Sequence, residues 1–128
     1  MAVADLIRLL NTNPVYRARL VHMKTTEPEP IRYGLLETPL STALEAYLDQ
    51  REIRLYSHQC EAINHSRVGK NVILTTSTAS GKTLAFNIPV FSRLEACPDS
   101  RALYLYPTKA LSNDQLIALE QMVRFTGI

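Results

Sequence analysis

The chain has 128 residues, of which 46% are apolar and 20% charged, and its 14 basic and 12 acidic side chains give a net charge of +2. This composition is that of a globular protein and excludes a disordered chain, a collagen-like repeat and a disulfide-stapled scaffold. No apolar run approaches the roughly 20 residues of a membrane span, and Asp5 lies within the first ten residues, where a secretory leader would have a basic start and an uncharged core. We expect a cytoplasmic protein with at most one complete domain.

The two cysteines, Cys60 and Cys97, lie far apart in the sequence, and neither belongs to a CxxC pair. We therefore expect no zinc site and two buried free thiols in a reducing compartment. The nearly neutral net charge neither requires nor excludes a nucleic-acid partner, so that role depends on local residues.

A cap followed by a proline predicts the first helix. Asn13 can cap the free amides while Pro14 occupies the first helical position, and Tyr16, Leu20 and Met23 then share one face.

The stretch 25–30, TTEPEP, contains two prolines and no apolar residue, which favours an extended linker. We interpret residues 1–34 as a helical accessory segment followed by this linker.

Two further helices are predicted before residue 70. Thr38 and Pro39 repeat the cap-and-proline start, and Ser57 would cap the next helix, which runs to about Arg67 before Gly69 ends it. The first of these helices has apolar residues at helical spacing: Leu40, Ala43, Leu44, Tyr47 and Leu48.

The pattern changes after residue 70. Val72–Leu74 is a short apolar run typical of a buried strand, and Arg101–Tyr106 predicts a second strand. Helices are predicted from Lys82 to about Ala96 and over Leu111–Phe125, with Gly127 ending the last. Strand, helix, strand, helix predicts an α/β fold with a parallel sheet.

Residues 76–83, TSTASGKT, lie between the predicted strand and helix, which is the context of a phosphate-binding loop. Gly81 would let the backbone approach a polyphosphate, Lys82 would reach its β and γ phosphates, and the Thr83 hydroxyl would hold Mg²⁺. The residues predicted to bind the nucleotide are Thr78, Ala79, Ser80, Gly81, Lys82 and Thr83, together with Gln59 as described below.

This loop departs from the general pattern, because Thr76 and Ala79 stand where glycine is usual. The alternative is a surface turn into a helix capped by Ser80. The predicted strand before the loop and the helix after it favour a nucleotide site.

The segment 55–59, LYSHQ, places Gln59 23 residues before Lys82. A side-chain amide offers the donor and the acceptor that pair with the N6/N7 edge of adenine. The alternative is a solvated glutamine on a helix surface. Ahead of a phosphate loop, we expect Gln59 to contact adenine.

The segment 106–111, YPTKAL, places Thr108 and Lys109 where the second predicted strand ends and a helix begins. Ligands of open α/β sheets bind at this edge, and a hydroxyl and an ammonium group at a helix N-terminus suit a nucleic-acid phosphate. The alternative is a capped helix start with an exposed lysine.

These three segments, in this order, resemble the glutamine motif, motif I and motif Ia of superfamily 2 DEAD/DEAH-box helicases, over Leu35 to about Val123. LYSHQCEAI and LYPTKALSNDQL are most similar to DNA-repair helicases with a C-terminal zinc-binding region. The resemblance implies ATP and Mg²⁺ as cofactors and single-stranded or partly duplex DNA as partner, with RNA as an alternative. It also implies that residues 35–128 are the N-terminal part of a RecA-like domain.

The helicase family hydrolyses ATP with an Asp-Glu pair on a later strand and with arginines of a second domain. After Pro107 the acidic residues here are Asp114 and Glu120, both inside the predicted last helix, so the chain has no DExH motif and no catalytic residue of its own. We expect an inactive N-terminal piece of a motor, with unpaired strands that make it prone to associate. The alternatives are a non-catalytic truncated remnant or interaction segment, and another class of P-loop NTPase.

Overall fold

The computed structural model describes residues 3–24, 26, 30–76 and 80–128. The chain forms two compact units, Met1–Pro30 and Ile31–Ile128. Most of the predicted linker, residues 25 and 27–29, lies outside the described residues. Within the described part, six helices follow in order: α1 Val3–Thr12, α2 Pro14–Arg17, α3 Thr42–Gln50, α4 Ser57–Arg67, α5 Lys82–Ala96 and α6 Lys109–Thr126. None of them combines the length and apolar character needed to cross a membrane.

The first unit contains α1 and α2. The Asn13 side chain accepts a hydrogen bond from the Val15 amide at 3.0 Å, which confirms the predicted cap. However, α2 ends at Arg17, so the predicted helical face through Leu20 and Met23 is wrong. The amide of Leu20 still bonds to a carbonyl of the last turn, and the chain then leaves the helix.

The core of the second unit lies between α3, α4, α5 and α6. Each helix contributes one apolar side chain that is at most 1% exposed: Leu44, Ile63, Ile88 and Met122. Burying an aliphatic side chain of this size stabilises a fold by about 1.5–3 kcal/mol. The same core holds α4 against α5, and these two helices carry the candidate site.

The start of α3 depends on a tertiary contact. The Ser41 hydroxyl accepts from the Leu44 amide at 3.3 Å and donates to the Glu95 carboxylate at 2.9 Å. The helix therefore begins at Thr42, and the predicted start at Thr38 is wrong by about one turn. The contact with Glu95 favours Ser41 as the cap over the predicted Thr38.

The remaining helices agree closely with the predictions. Gly69 has φ 78° and follows the end of α4, although the cap residue of that helix is Tyr56 and not Ser57. The bounds of α5 are those predicted. Helix α6 begins two residues earlier than predicted, at Lys109, and Gly127 with φ 73° ends it.

The predicted strands are not found in the described residues, and the parallel sheet is not confirmed. Val72–Leu74 and Arg101–Tyr106 have no strand assignment, and the β-pairing recorded in the described part is one antiparallel bridge between Tyr33 and Tyr56. A strand is defined by hydrogen bonds to a neighbour, and neither segment has such a neighbour here. Ile73 is consequently 88% exposed.

Candidate functional site

Thr76, Ser80 and Lys82 of the predicted phosphate loop contact one another at the start of α5. The hydroxyl oxygens of Thr76 and Ser80 lie 2.6 Å apart. The Lys82 ammonium group donates to the Thr76 carbonyl at 2.8 Å and to the Ser80 hydroxyl at 3.2 Å. Thr76 and Ser80 thus hold the ammonium group at the N-terminus of a helix, where a polyphosphate would bind. Residues 77–79, including the predicted Thr78 and Ala79, lie outside the described residues.

Gly81 is the N-cap residue of α5 and has φ 75°, a conformation that favours glycine. A Cβ atom at this position would collide with Nε2 of Gln59. The alternative of a helix capped by Ser80 is therefore not what the structure shows, since the cap is Gly81 and has no side chain.

Gln59 is 2% exposed, which excludes the alternative of a solvated surface glutamine. Its Oε1 accepts from the Tyr56 amide at 2.7 Å, and its Nε2 donates to the Gly81 carbonyl at 2.7 Å. The side chain therefore joins the first turn of α4 to the phosphate loop. A primary amide has two donor hydrogens and two acceptor lone pairs, so each end keeps one position for a ligand. Contact with adenine stays a prediction.

The structure adds one residue to the site that the sequence did not predict. His58, beside Gln59 in α4, places its Nε2 3.0 Å from the Ser80 carbonyl oxygen. The ring stacks on Tyr56 with centroids 5.7 Å apart. In the sequence, His58 stands directly before Gln59. That position does not indicate a role for His58 unless the contact between α4 and Ser80 is known.

Tyr56 belongs to a longer row of stacked side chains, which we call the aromatic stack. The rings of Tyr56 and Tyr33 stack at 5.7 Å with an interplanar angle of 18°. The Arg54 guanidinium group lies 4.0 Å from the centroid of the Tyr33 ring. The aromatic stack, Arg54–Tyr33–Tyr56–His58, thus runs from an exposed arginine to the phosphate loop.

Thr83 is the second residue of α5 and is partly buried. The described residues contain no group of three or more His, Cys, Asp or Glu side chains able to hold a metal ion. Mg²⁺ bound to a nucleotide takes most of its ligands from phosphate and water and needs only one or two from the protein. Gly81 has no side chain to cover the loop backbone, and the Thr83 hydroxyl follows two residues later. These two residues fit an Mg²⁺ ion that binds together with the nucleotide.

Thr108 and Lys109 are both exposed at the start of α6. The Thr108 hydroxyl accepts from the Leu111 amide at 3.2 Å, so it caps the helix. This agrees with the alternative of a capped helix start with an exposed lysine. Lys109 is the first helical residue. Their role in binding nucleic acid stays a prediction.

Tyr104 and Tyr106 lie in the segment before α6, and their side chains pack against each other. Their rings stack with centroids 6.3 Å apart, and Phe86 of α5 lies 6.1 Å from the Tyr104 ring. Burial raises the pKa of Tyr104 to about 12, and the neighbouring Tyr106 makes a smaller contribution to the same shift. These contacts agree with a packing role and not with a base-stacking platform.

Comparison with known proteins places the chain among helicases. The family model of DEAD/DEAH box helicases matches residues 56–128. The chain is 36% identical over 110 residues to the uncharacterized ATP-dependent helicase YprA of Bacillus subtilis, covering 85% of this chain and 15% of that protein. It is also 36% identical over 113 residues to the ATP-dependent helicase HRQ1 of Saccharomyces cerevisiae, covering 88% of this chain and 10% of that protein.

A solved structure agrees with these relatives. The crystal structure of the DUF1998 helicase MrfA bound to DNA and AMPPNP matches the whole of this chain with a TM-score of 0.86 and 33% identity, and the match covers 18% of the MrfA chain. The present chain therefore has the fold of one part of a helicase and spans less than a fifth of the proteins it matches. It belongs to the DEAD/DEAH box helicase family.

Proposed function

We propose that this chain is the ATP-binding N-terminal portion of an ATP-dependent helicase that acts on DNA. The observation that carries the proposal is that Thr76 and Ser80 hold the Lys82 ammonium group, while Gln59 joins Gly81 to α4. The names of the relatives support it, since YprA and HRQ1 are ATP-dependent helicases and the MrfA structure holds DNA and AMPPNP. A cytoplasmic location and a role in DNA repair belong to the same proposal.

The loop binds the nucleotide through charge and backbone amides. The Lys82 ammonium group exchanges its contacts with the Thr76 carbonyl for the β and γ phosphates, and the N-terminus of α5 adds its free amides. Thr83 holds Mg²⁺, which neutralises charge on the phosphate oxygens when it is bound. Gln59 uses its remaining donor and acceptor positions on adenine.

Hydrolysis needs groups that this chain does not supply. Asp114 and Glu120 lie within α6 and do not form the Asp-Glu pair of the family. In the assembled helicase, binding of ATP closes two domains on a nucleic-acid strand and hydrolysis reopens them, so the strand is held with alternating affinity. At the start of α6, Thr108 and Lys109 contribute to binding of the strand by contacting a backbone phosphate.

Two other functions are less well supported. Another class of P-loop NTPase would not need Gln59 in contact with the loop, nor would it match the helicase family over residues 56–128. A non-catalytic remnant or interaction segment would not need the Lys82 ammonium group in contact with Thr76 and Ser80.

The proposal is tested by titrating the chain with ATP and Mg²⁺ while following backbone amide signals by NMR. We expect weak, saturable binding that shifts the signals of Gly81 to Thr83. Lys82→Ala should abolish binding, and Lys70→Ala, an exposed lysine outside the loop, should leave it unchanged. Equal binding by the Lys82→Ala variant would contradict the proposal.

A further inference from the structure

The Nε2 atom of His58 has to carry a hydrogen to bond to the phosphate loop. It lies 3.0 Å from the Ser80 carbonyl oxygen, and a carbonyl oxygen can only accept. The hydrogen is present both in the corresponding neutral tautomer and in the imidazolium ion. The bond to Ser80 therefore does not depend on the charge of the ring.

Two consecutive side chains of α4 hold two consecutive carbonyl groups of the phosphate loop. His58 binds the Ser80 carbonyl, and Gln59 binds the Gly81 carbonyl at 2.7 Å. In a trans peptide the C=O and N–H groups point in opposite directions. Drawing these two carbonyls towards α4 therefore turns the amides of Gly81 and Lys82 away from α4, to the side where a phosphate can reach them.

The imidazole ring of His58 is itself held in place. It stacks on Tyr56, which stacks on Tyr33, and the interplanar angles are 20° and 18°. The backbone around Tyr33 is fixed as well, because the Arg32 carbonyl accepts from the Ser57 amide at 2.8 Å and the Gly34 amide donates to the Leu55 carbonyl at 3.1 Å. The ring orientation is thus set by packing before any nucleotide binds.

We propose that His58 is a positioning residue of the phosphate loop. Through the Ser80 carbonyl it orients the Gly81 and Lys82 amides towards the polyphosphate, and the aromatic stack keeps its ring in the required plane. The inference rests on the proposed ATP-binding function and assigns a role to a residue that does not itself touch the nucleotide. Because His58 acts on the phosphate side of the site, its effect should not depend on the base.

The first part of the experiment needs no nucleotide. Ring ¹⁵N shifts of His58 should report the tautomer with hydrogen on Nε2. His58→Phe keeps the stacking on Tyr56 but removes the donor, so it should shift the amide signals of Gly81 and Lys82. The matched control is His65→Phe, which changes a histidine of the same helix that lies 3.9 Å from Glu61 and should leave those signals unmoved.

The second part measures the affinities of the same proteins for ADP and GDP. His58→Phe should weaken both by about tenfold, as expected when one misplaced loop amide no longer bonds to a charged phosphate. His58→Gln, which keeps an N–H donor, should restore most of the affinity and of the amide positions, and it distinguishes loss of the bond from misfolding.

A neutral His58 ring with its hydrogen on Nδ1 and none on Nε2 would overturn the inference. So would unmoved loop amides in His58→Phe, or equal ADP affinities of His58→Phe and His65→Phe. Failure of the unmodified chain to bind either nucleotide would contradict the proposed ATP function, and the tautomer and the amide shifts would still decide the role of His58.

Discussion

At the scale of single residues, the site depends on how closely Gln59 approaches Gly81. The amide of Gln59 occupies the space that a Cβ atom of residue 81 would need, and the backbone of Gly81 has φ 75°. A glycine is required here for two independent reasons, one conformational and one steric. The loop motif in the sequence predicted the glycine, but the steric reason needed the fold.

Replacing Gly81 by alanine should separate these two reasons. Gly69→Ala is the matched control, because Gly69 has φ 78° and no atom of the described residues lies within 4 Å of where its Cβ would be. The control should lose about 1–2 kcal/mol of unfolding free energy from left-handed strain alone. Gly81→Ala should lose clearly more in urea unfolding, since its Cβ meets Gln59. Equal losses in the two variants would show that the Gln59 contact is relaxed at no cost.

Gln59→Ala tests the structural role of the glutamine. The change leaves the Tyr56 amide and the Gly81 carbonyl without their partner, so we expect a loss of about 1–3 kcal/mol of unfolding free energy. Gln50→Ala, at the exposed end of α3, should change stability by less than about 0.5 kcal/mol. Similar losses of unfolding free energy in both variants would show that Gln59 does not stabilise the loop.

The same substitution tests base recognition in the assembled helicase. Adenine offers a donor and an acceptor that match a side-chain amide, whereas guanine presents O6 in place of the amino group. Gln59→Ala should therefore weaken binding of ATP by about 1–3 kcal/mol more than binding of GTP. If competition titrations show equal weakening, the role of Gln59 is confined to the fold.

At the scale of helices and strands, predictions from sequence succeeded where the decisive contacts are local. The bounds of α5 and the glycine that ends α6 follow from residues inside or next to each helix. The start of α3 could not be predicted, because a contact with Glu95, 54 residues away, favours Ser41 as the cap. The contact of His58 with Ser80 spans 22 residues and was missed for the same reason.

The start of α6 gives a pair of substitutions with opposite expected effects. Thr108→Ala removes the hydroxyl that accepts from the Leu111 amide and should cost about 1 kcal/mol of unfolding free energy. Lys109→Ala should leave stability unchanged, but in the assembled helicase it should reduce the salt dependence of single-strand binding by about 0.7, the slope for one phosphate contact. An unchanged slope would remove Lys109 from the nucleic-acid contacts.

At the scale of the whole molecule, the chain has polar and apolar groups that lack neighbours. Leu103 and Leu105 are 85% and 83% exposed. The side chain of Asn87 and the hydroxyls of Tyr104 and Tyr106 are buried without a hydrogen-bond partner in the described part of the chain. Natural proteins leave few buried polar groups unpaired. The two exposed leucines and the two tyrosines lie in the second predicted strand, which has no hydrogen-bonded neighbour among the described residues.

These exposed leucines should make the isolated chain associate. Leu105→Lys should shift sedimentation towards the monomer, because a charge on an exposed apolar segment opposes pairing with another copy. The substitution should alter stability by less than about 0.5 kcal/mol, as expected at an exposed position. Unchanged association of Leu105→Lys, or a monomeric parent chain, would contradict this account of the segment.

The most direct test of the central claim, that this chain holds ATP without the groups that hydrolyse it, is a measurement of phosphate release at saturating ATP and Mg²⁺. The purified chain should release no more phosphate than its Lys82→Ala variant, while the amide titration shows ATP bound to the unmodified chain alone. Steady release above that control, from protein free of contaminating ATPase, would contradict the claim and require a catalytic base within these 128 residues.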